Sequence, residues 1–126
     1  MVSEPMKRAS FLGVPEAFDL NHACLAVNEA FGLGNTFLVG SCLDRRDYRD
    51  VDVRTILDDD VFAQMFPNGG YDHDAFWSLL CASISTWLSK QTGLPVDFQI
   101  QQQTKANKDF DGNRSALGIF ISRLST

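Results

Sequence analysis

Asp50 and Asp52 alternate with two valines in the run Asp50-Val51-Asp52-Val53. On an extended chain successive side chains take opposite faces, so both carboxylates project from one face while the valines enter the core. Two carboxylates held side by side repel each other unless a cation lies near. Hard oxygen ligands on a rigid strand suit Mg²⁺ or Mn²⁺, with the remaining positions left to water and phosphate oxygens. A third acid, Asp97, stands between Val96 and Phe98 in another alternating run, and faces the same pocket if its strand pairs beside the first. Gly40 and Ser41 add a different element. A glycine closing a strand lets the backbone approach an anion, and successive N–H groups there cradle phosphate. The serine hydroxyl is a further donor.

These residues need strands to carry them and helices to support those strands. Pro15 and Glu16 start a helix, because proline suits the first turn and an acid complements the dipole. Leu20, Cys24, Val27 and Phe31, with Ala23 and Ala30, recur at helical spacing until Gly32 and Gly34 stop it. Residues 35–39 read as a short buried strand ending in Gly40-Ser41, and 42–49 as a charged connection. Residues 50–57 read as the next strand, with Val51, Val53 and Thr55 on one face. Asp58, Asp59 and Asp60 precede an apolar run at 61–66 and read as helix-capping charges. A turn at 67–70 follows.

Asp72 or Asp74 then caps the longest helix, which runs to about Gln91. Its apolar stripe comprises Phe76, Trp77, Leu80, Cys81, Ile84, Trp87 and Leu88, and both tryptophans are expected in the core. Gly93 ends it, Pro95 introduces a strand at 96–101, a polar stretch covers 102–114, and a last strand is expected at 117–121. Lys105, Gln101, Gln102, Gln103 and Asn107 read as a solvated edge and turn that also suits a base or acceptor pocket. This order predicts a single α/β (α+β) domain over 1–126. Helices cover one face of a small mixed sheet, and the other face stays open.

Composition narrows the classes. A chain of 126 residues with 44% hydrophobic and 21% charged residues suits one compact core. No apolar run approaches the roughly 18–20 residues of a membrane span. Residues 1–13 carry Lys7 and Arg8 without a following apolar stretch, which reads as a short leader and not a secretory signal. Net charge is −5, with thirteen Asp against three Glu, which gives no support to non-specific nucleic-acid binding. Locally, residues 44–54 interleave four arginines with four aspartates, the mixture a metal-bridged anion site needs. Cys24, Cys42 and Cys81 are dispersed, which fits a reducing cytoplasm better than a disulfide scaffold or zinc site. Cys42, after Gly40-Ser41, is expected to be accessible.

Other motifs carry less. Asp109-Phe110-Asp111-Gly112 resembles part of a calcium loop, but Phe120 stands where the bidentate Glu belongs. His73 lacks a second histidine at ligand spacing, and His22 reads as structural. No phosphate-binding loop of the G-x-x-x-x-G-K-S/T type occurs.

In order and context, Leu38-Val39-Gly40-Ser41, Asp50-Val51-Asp52-Val53 and Val96-Asp97-Phe98 resemble the nucleotidyltransferase superfamily related to DNA polymerase beta. The resemblance covers about residues 15–103 and is greatest to the minimal nucleotidyltransferases. It implies two Mg²⁺ or Mn²⁺ ions on Asp50, Asp52 and Asp97, with Asp97 orienting or deprotonating an attacking hydroxyl. It implies that Gly40 and Ser41 contact the nucleoside triphosphate. The eight residues between Ser41 and Asp50 are fewer than in small bacterial members, and Ala-Arg-Gly after the serine is replaced by Cys42-Leu43-Asp44. Arg45 or Arg46 is the substitute for the missing arginine. Two functions follow: transfer of a nucleoside monophosphate from NTP to a hydroxyl, or a non-catalytic module of antitoxin or host-interaction type. With no second domain to hold an acceptor, either implies a partner or self-association.

Overall fold

The computed structural model of the protein describes residues 10–32 and 35–119. The expected stop at Gly34, most of the leader and residues 120–121 of the expected last strand lie outside the described residues. The elements are α1 (Val14–Phe31), β1 (Thr36–Val39), β2 (Val51–Leu57), α2 (Asp59–Met65), α3 (Ala75–Thr92), β3 (Val96–Gln102), α4 (Gln103–Asp109) and β4 (Ser115–Leu117). The four strands form a mixed sheet in the order β3-β2-β1-β4. β1 runs antiparallel to β2 and β4, and β2 runs parallel to β3. The small α+β fold with helices packed on a mixed sheet is as expected.

Alternation sorts the sheet into two faces. Val51, Val53 and Thr55 of β2 and Val96, Phe98 and Ile100 of β3 are buried. The apolar ones join one core with Leu20 and Cys24 of α1 and Trp77, Cys81 and Leu88 of α3. The hydroxyls of Thr36 and Thr55 lie opposite each other and share a buried hydrogen bond of 2.7 Å. Trp87 departs from expectation: it is 41% exposed and flanks a shallow apolar groove with Ala26, Ala30 and Ile84. Its stripe is wider than the core α1 leaves room for.

β3 is an edge strand, and α3 seals it with side chains. Ser89 Oγ accepts from Val96 N at 3.0 Å, and Ser85 Oγ accepts from Phe98 N at 2.8 Å. Trp77 Nε1 donates to the Ile100 carbonyl at 2.9 Å, and Tyr71 Oη accepts from Gln102 N at 2.9 Å. Positions 77, 85 and 89 share one helical face, so they meet alternate residues of the strand in turn. The outward backbone groups of β3 are thereby occupied, which blocks the pairing that exposed edges invite.

Two local readings are corrected. The polar stretch at 103–109 is the helix α4, lacking an apolar period because Ala106 is its one buried residue. Its ends are tied down by side chains, from within the helix and from outside it. Asp59 accepts from Thr104 N and hydroxyl, Lys105 Nζ pairs with Asp109 at 2.8 Å, and Arg114 donates to the Ala106 and Phe110 carbonyls. Asp59 thus caps a helix other than its own, while Asp58, at the N-cap of α2, makes no side-chain cap bond. The last strand lies at Ser115–Leu117, earlier than expected, because Asn28 Nδ2 holds the Leu117 carbonyl to α1.

The second face of the sheet is only partly open. Val39 and Ile56, on the face of Asp52, are buried, and they floor a cavity of about 280 Å³ roofed by Phe110 and Arg114. Among the described residues no helix is long and apolar enough to cross a membrane.

Candidate active site

Asp52 and Asp97 are register partners across the parallel pair β2 and β3. They therefore share one face of the sheet, as expected from their alternation. Asp50 stands one residue before β2, exposed, at the end of the charged connection. Arg54, two residues beyond Asp52, leans across to β3. Its Nη2 lies 3.8 Å from Asp52 Oδ1 and 3.5 Å from Asp97 Oδ2. Its Nη1 donates to the carbonyls of Asp97 at 2.7 Å and Val53 at 3.0 Å. The Arg54 side chain is 14% exposed, against 25% for Asp52 and 47% for Asp97.

Burial pushes the Asp52 carboxyl above the usual aspartate range; Arg54 opposes this, and the charges of Asp97 and Asp50 add to it. The three carboxylates therefore act on a common field even though Asp50 is off the strand. The sign for stability follows from proton uptake on folding. A carboxyl whose pKa is raised in the native state favours folding below its unfolded value, and that contribution is lost as pH rises through the folded value. Asp52→Asn is accordingly expected to unfold at higher denaturant than the wild type at pH 7. The gap should close toward pH about 4, the ordinary aspartate value. Urea titrations at the two pH values measure it, and a less stable Asn variant at pH 7 refutes the sign.

Gly40 packs directly on Asp52. Its backbone has φ 83° and ψ −160°, and a Cβ there would strike Asp52 Oδ2 and lie 3.1 Å from its Cγ. Beyond it the chain winds into a single 3₁₀ turn, Ser41–Leu43, with Leu43 N on the Gly40 carbonyl at 3.1 Å. Ser41, Arg45, Tyr48, Arg49, Asp50 and Asp52 line a polar depression of about 240 Å³. Asp52 lines the larger cavity as well, so its carboxylate stands between the two.

The candidate phosphate ligands are placed differently from one another. Arg45 lines the polar depression but is engaged with Asp47 through two hydrogen bonds of 3.1 and 3.0 Å at the surface. Arg46 lies with its guanidinium 5.8 Å over the Phe11 ring. Cys42 is fully buried, against expectation, because the 3₁₀ turn folds it under the sheet end. Burial pushes its thiol up to about 11, with Asp52's charge adding. Cys24 and Cys81 are buried as expected, at about 12 and about 11. Thiols so raised are poor nucleophiles at neutral pH.

Sequence reasoning missed Arg54, Phe110 and Arg114. Arg54 was accessible in principle, since strand parity puts it on the face of Asp52. Phe110 and Arg114 had no local signal, because they reach the cavity only through α4.

The donor set suits a hard divalent cation in kind: three carboxylates in a mutually unfavourable field that a cation would relieve. In their present positions Arg54 supplies that positive charge. Among the described residues no three His, Cys, Asp or Glu side chains are grouped as an ion would need. No protein-family model, curated protein or solved structure matches this chain.

Proposed function

We propose that the protein is a nucleotidyltransferase-type domain that moves a nucleoside monophosphate from a triphosphate to a hydroxyl acceptor. The observation that carries this reading is the pairing of Asp52 with Asp97 on parallel strands, with Gly40 packed against the Asp52 carboxylate. Asp50, Asp52 and Asp97 would hold Mg²⁺ or Mn²⁺, which when bound offsets phosphate charge and aligns the hydroxyl for attack. Gly40 lets the backbone come close to an anion, and Ser41 adds a donor at the mouth of the polar depression. Arg45, exchanging Asp47 for phosphate, would bind the triphosphate there, and Arg46 would join it only by leaving Phe11. Asp97, the more exposed of the paired acids, is suited to orient the acceptor hydroxyl. Three buried, unpaired thiols accord with a reducing compartment such as the cytoplasm.

Incubation with labelled nucleoside triphosphates, Mg²⁺ and a lysate of the source cell should label an acceptor and release pyrophosphate. Asp97→Asn should abolish transfer while weakening nucleotide binding modestly; Asp52→Asn should damage both. Equal transfer by Asp97→Asn and wild type removes Asp97 from the mechanism. A second reading, a non-catalytic binding module, is favoured by the guanidinium of Arg54 standing between two of the carboxylates. Retention of a partner without any transfer selects it.

A further inference from the structure

The outward face of α3 carries large apolar side chains and almost no charge. Phe76 and Leu79 are more than half exposed, Trp87 nearly so, and Lys90 is the only charged residue of the helix. Lys90 forms no ion pair among the described residues. An apolar face left in water over about four turns marks a contact surface. Residues 76, 79, 83, 87 and 90 fall on one stripe, each step being three or four residues. Ser83 stands at its centre, with Leu79 and Trp87 four residues to either side and Phe76 and Lys90 seven. Turned end for end about Ser83, the stripe meets its own complement: Leu79 faces Trp87, and Lys90 faces the Phe76 ring. The small central serine lets two helices approach closely. Phe76 is backed on one side by Phe66, at 5.6 Å between ring centroids, which leaves its other side for a cation. Beside the stripe, Ala26, Ala30, Ile84 and Trp87 line the groove of about 230 Å³ between α1 and α3, a seat for a leucine arriving from a facing copy. The chain carries a net charge of −5, yet no acid lies on α3, so two copies meet here without opposing like charges at the contact.

We propose that two copies of this chain associate through α3, antiparallel about a twofold axis at Ser83. The contact is isologous, so each interaction occurs twice. Leu79 of each copy seats in the groove beside Trp87 of the other, and Lys90 of each lies over the Phe76 ring of the other. α3 packs on the core face of the sheet, so the acidic face stays free in both copies. The pairing does not depend on the nucleotidyltransferase reading.

Sedimentation equilibrium of the full chain across the micromolar range tests this. The wild type is expected to form a reversible dimer. Ser83→Glu sets two like charges against each other at the axis and should weaken association about a hundredfold. Leu79→Glu, which puts a charge where the groove is apolar, should do the same. Both positions are exposed, so the urea midpoints of the variants should stay near that of the wild type. Cysteine cross-linking reads the register. The native thiols at 24, 42 and 81 are buried. With helix axes about 8–10 Å apart, Ser83→Cys brings its two thiols within disulfide reach across the axis. Thr86→Cys, likewise exposed, lies about 9 Å along the helix from its counterpart and should cross-link far more slowly. Should a glutamate variant fail to fold, the two cysteine variants decide alone. A wild type that stays monomeric overturns the proposal and leaves the face to a partner of another kind. A dimer that survives both glutamates, or equal cross-linking by the two cysteine variants, overturns it as well.

Discussion

Gly40→Ala is expected to lower folding stability by about 2–3 kcal/mol, because its backbone lies in a region that essentially only glycine occupies. The added methyl has a second effect. It would enter the space of the Asp52 carboxyl group, whose Cγ lies 3.1 Å from the new Cβ. The carboxylate is a movable end, so the structure relieves the clash by turning it out of place. Stability and the acidic site should thus fail together, read as a lower urea midpoint and a loss of Mn²⁺ and nucleotide binding. Ser41→Ala, one residue on, should cost less than about 1 kcal/mol, since a half-exposed hydroxyl leaves nothing buried and unpaired. An alanine variant at 40 with wild-type stability would mean that the glycine is not required there.

Asp74→Ala should cost about 3 kcal/mol, combining a lost cap with buried donors left unpaired. Asp74 is buried, and one carboxylate oxygen accepts from Phe76 N and Trp77 N at 3.0 and 3.2 Å. The other accepts from Gly70 N at 2.9 Å, in a turn where Gly70 has φ 72° and its Cα faces the Phe62 ring. One side chain therefore starts α3 and also fixes the turn before it. Asp74→Asn keeps one acceptor oxygen but presents an amide where Gly70 donates, so about half the loss should remain. Urea denaturation of the three proteins measures the series, and an alanine variant within about 0.5 kcal/mol of wild type, the scatter of neutral surface changes, refutes it.

Which parts of the fold were legible follows from how local their causes are. The faces of β2 and β3 are set by side-chain alternation, so Asp52 and Asp97 could be placed opposite the core from residue types alone. The caps of α3 are likewise local: Gly93 ends it where the sequence implied, and Asp74 is the one of the two acids offered that starts it. α4 was not legible because Asp59, which caps it, is distant in the chain, and Arg114 meets it only after the chain turns back. Cys42 was misjudged because a glycine-serine pair implies an exposed turn, whereas a 3₁₀ winding carries the next side chain inward. The resident arginine between the acids was overlooked for another reason. Its position was readable by parity, but its crossing to β3 depends on the carbonyl of Asp97.

The serine ladder on α3 has a consequence for Asp97, which alternates with the strand residues it holds. Val96 and Phe98, its two neighbours, are each bonded outward to a hydroxyl, from Ser89 and Ser85. The third acid is therefore suspended between two residues whose backbone is pinned to the helix behind the sheet. Substitution of Ser85 or Ser89, neither of which lines the acidic face, removes an anchor beside Asp97. The back layer thus holds the strand that carries an acid of the front one.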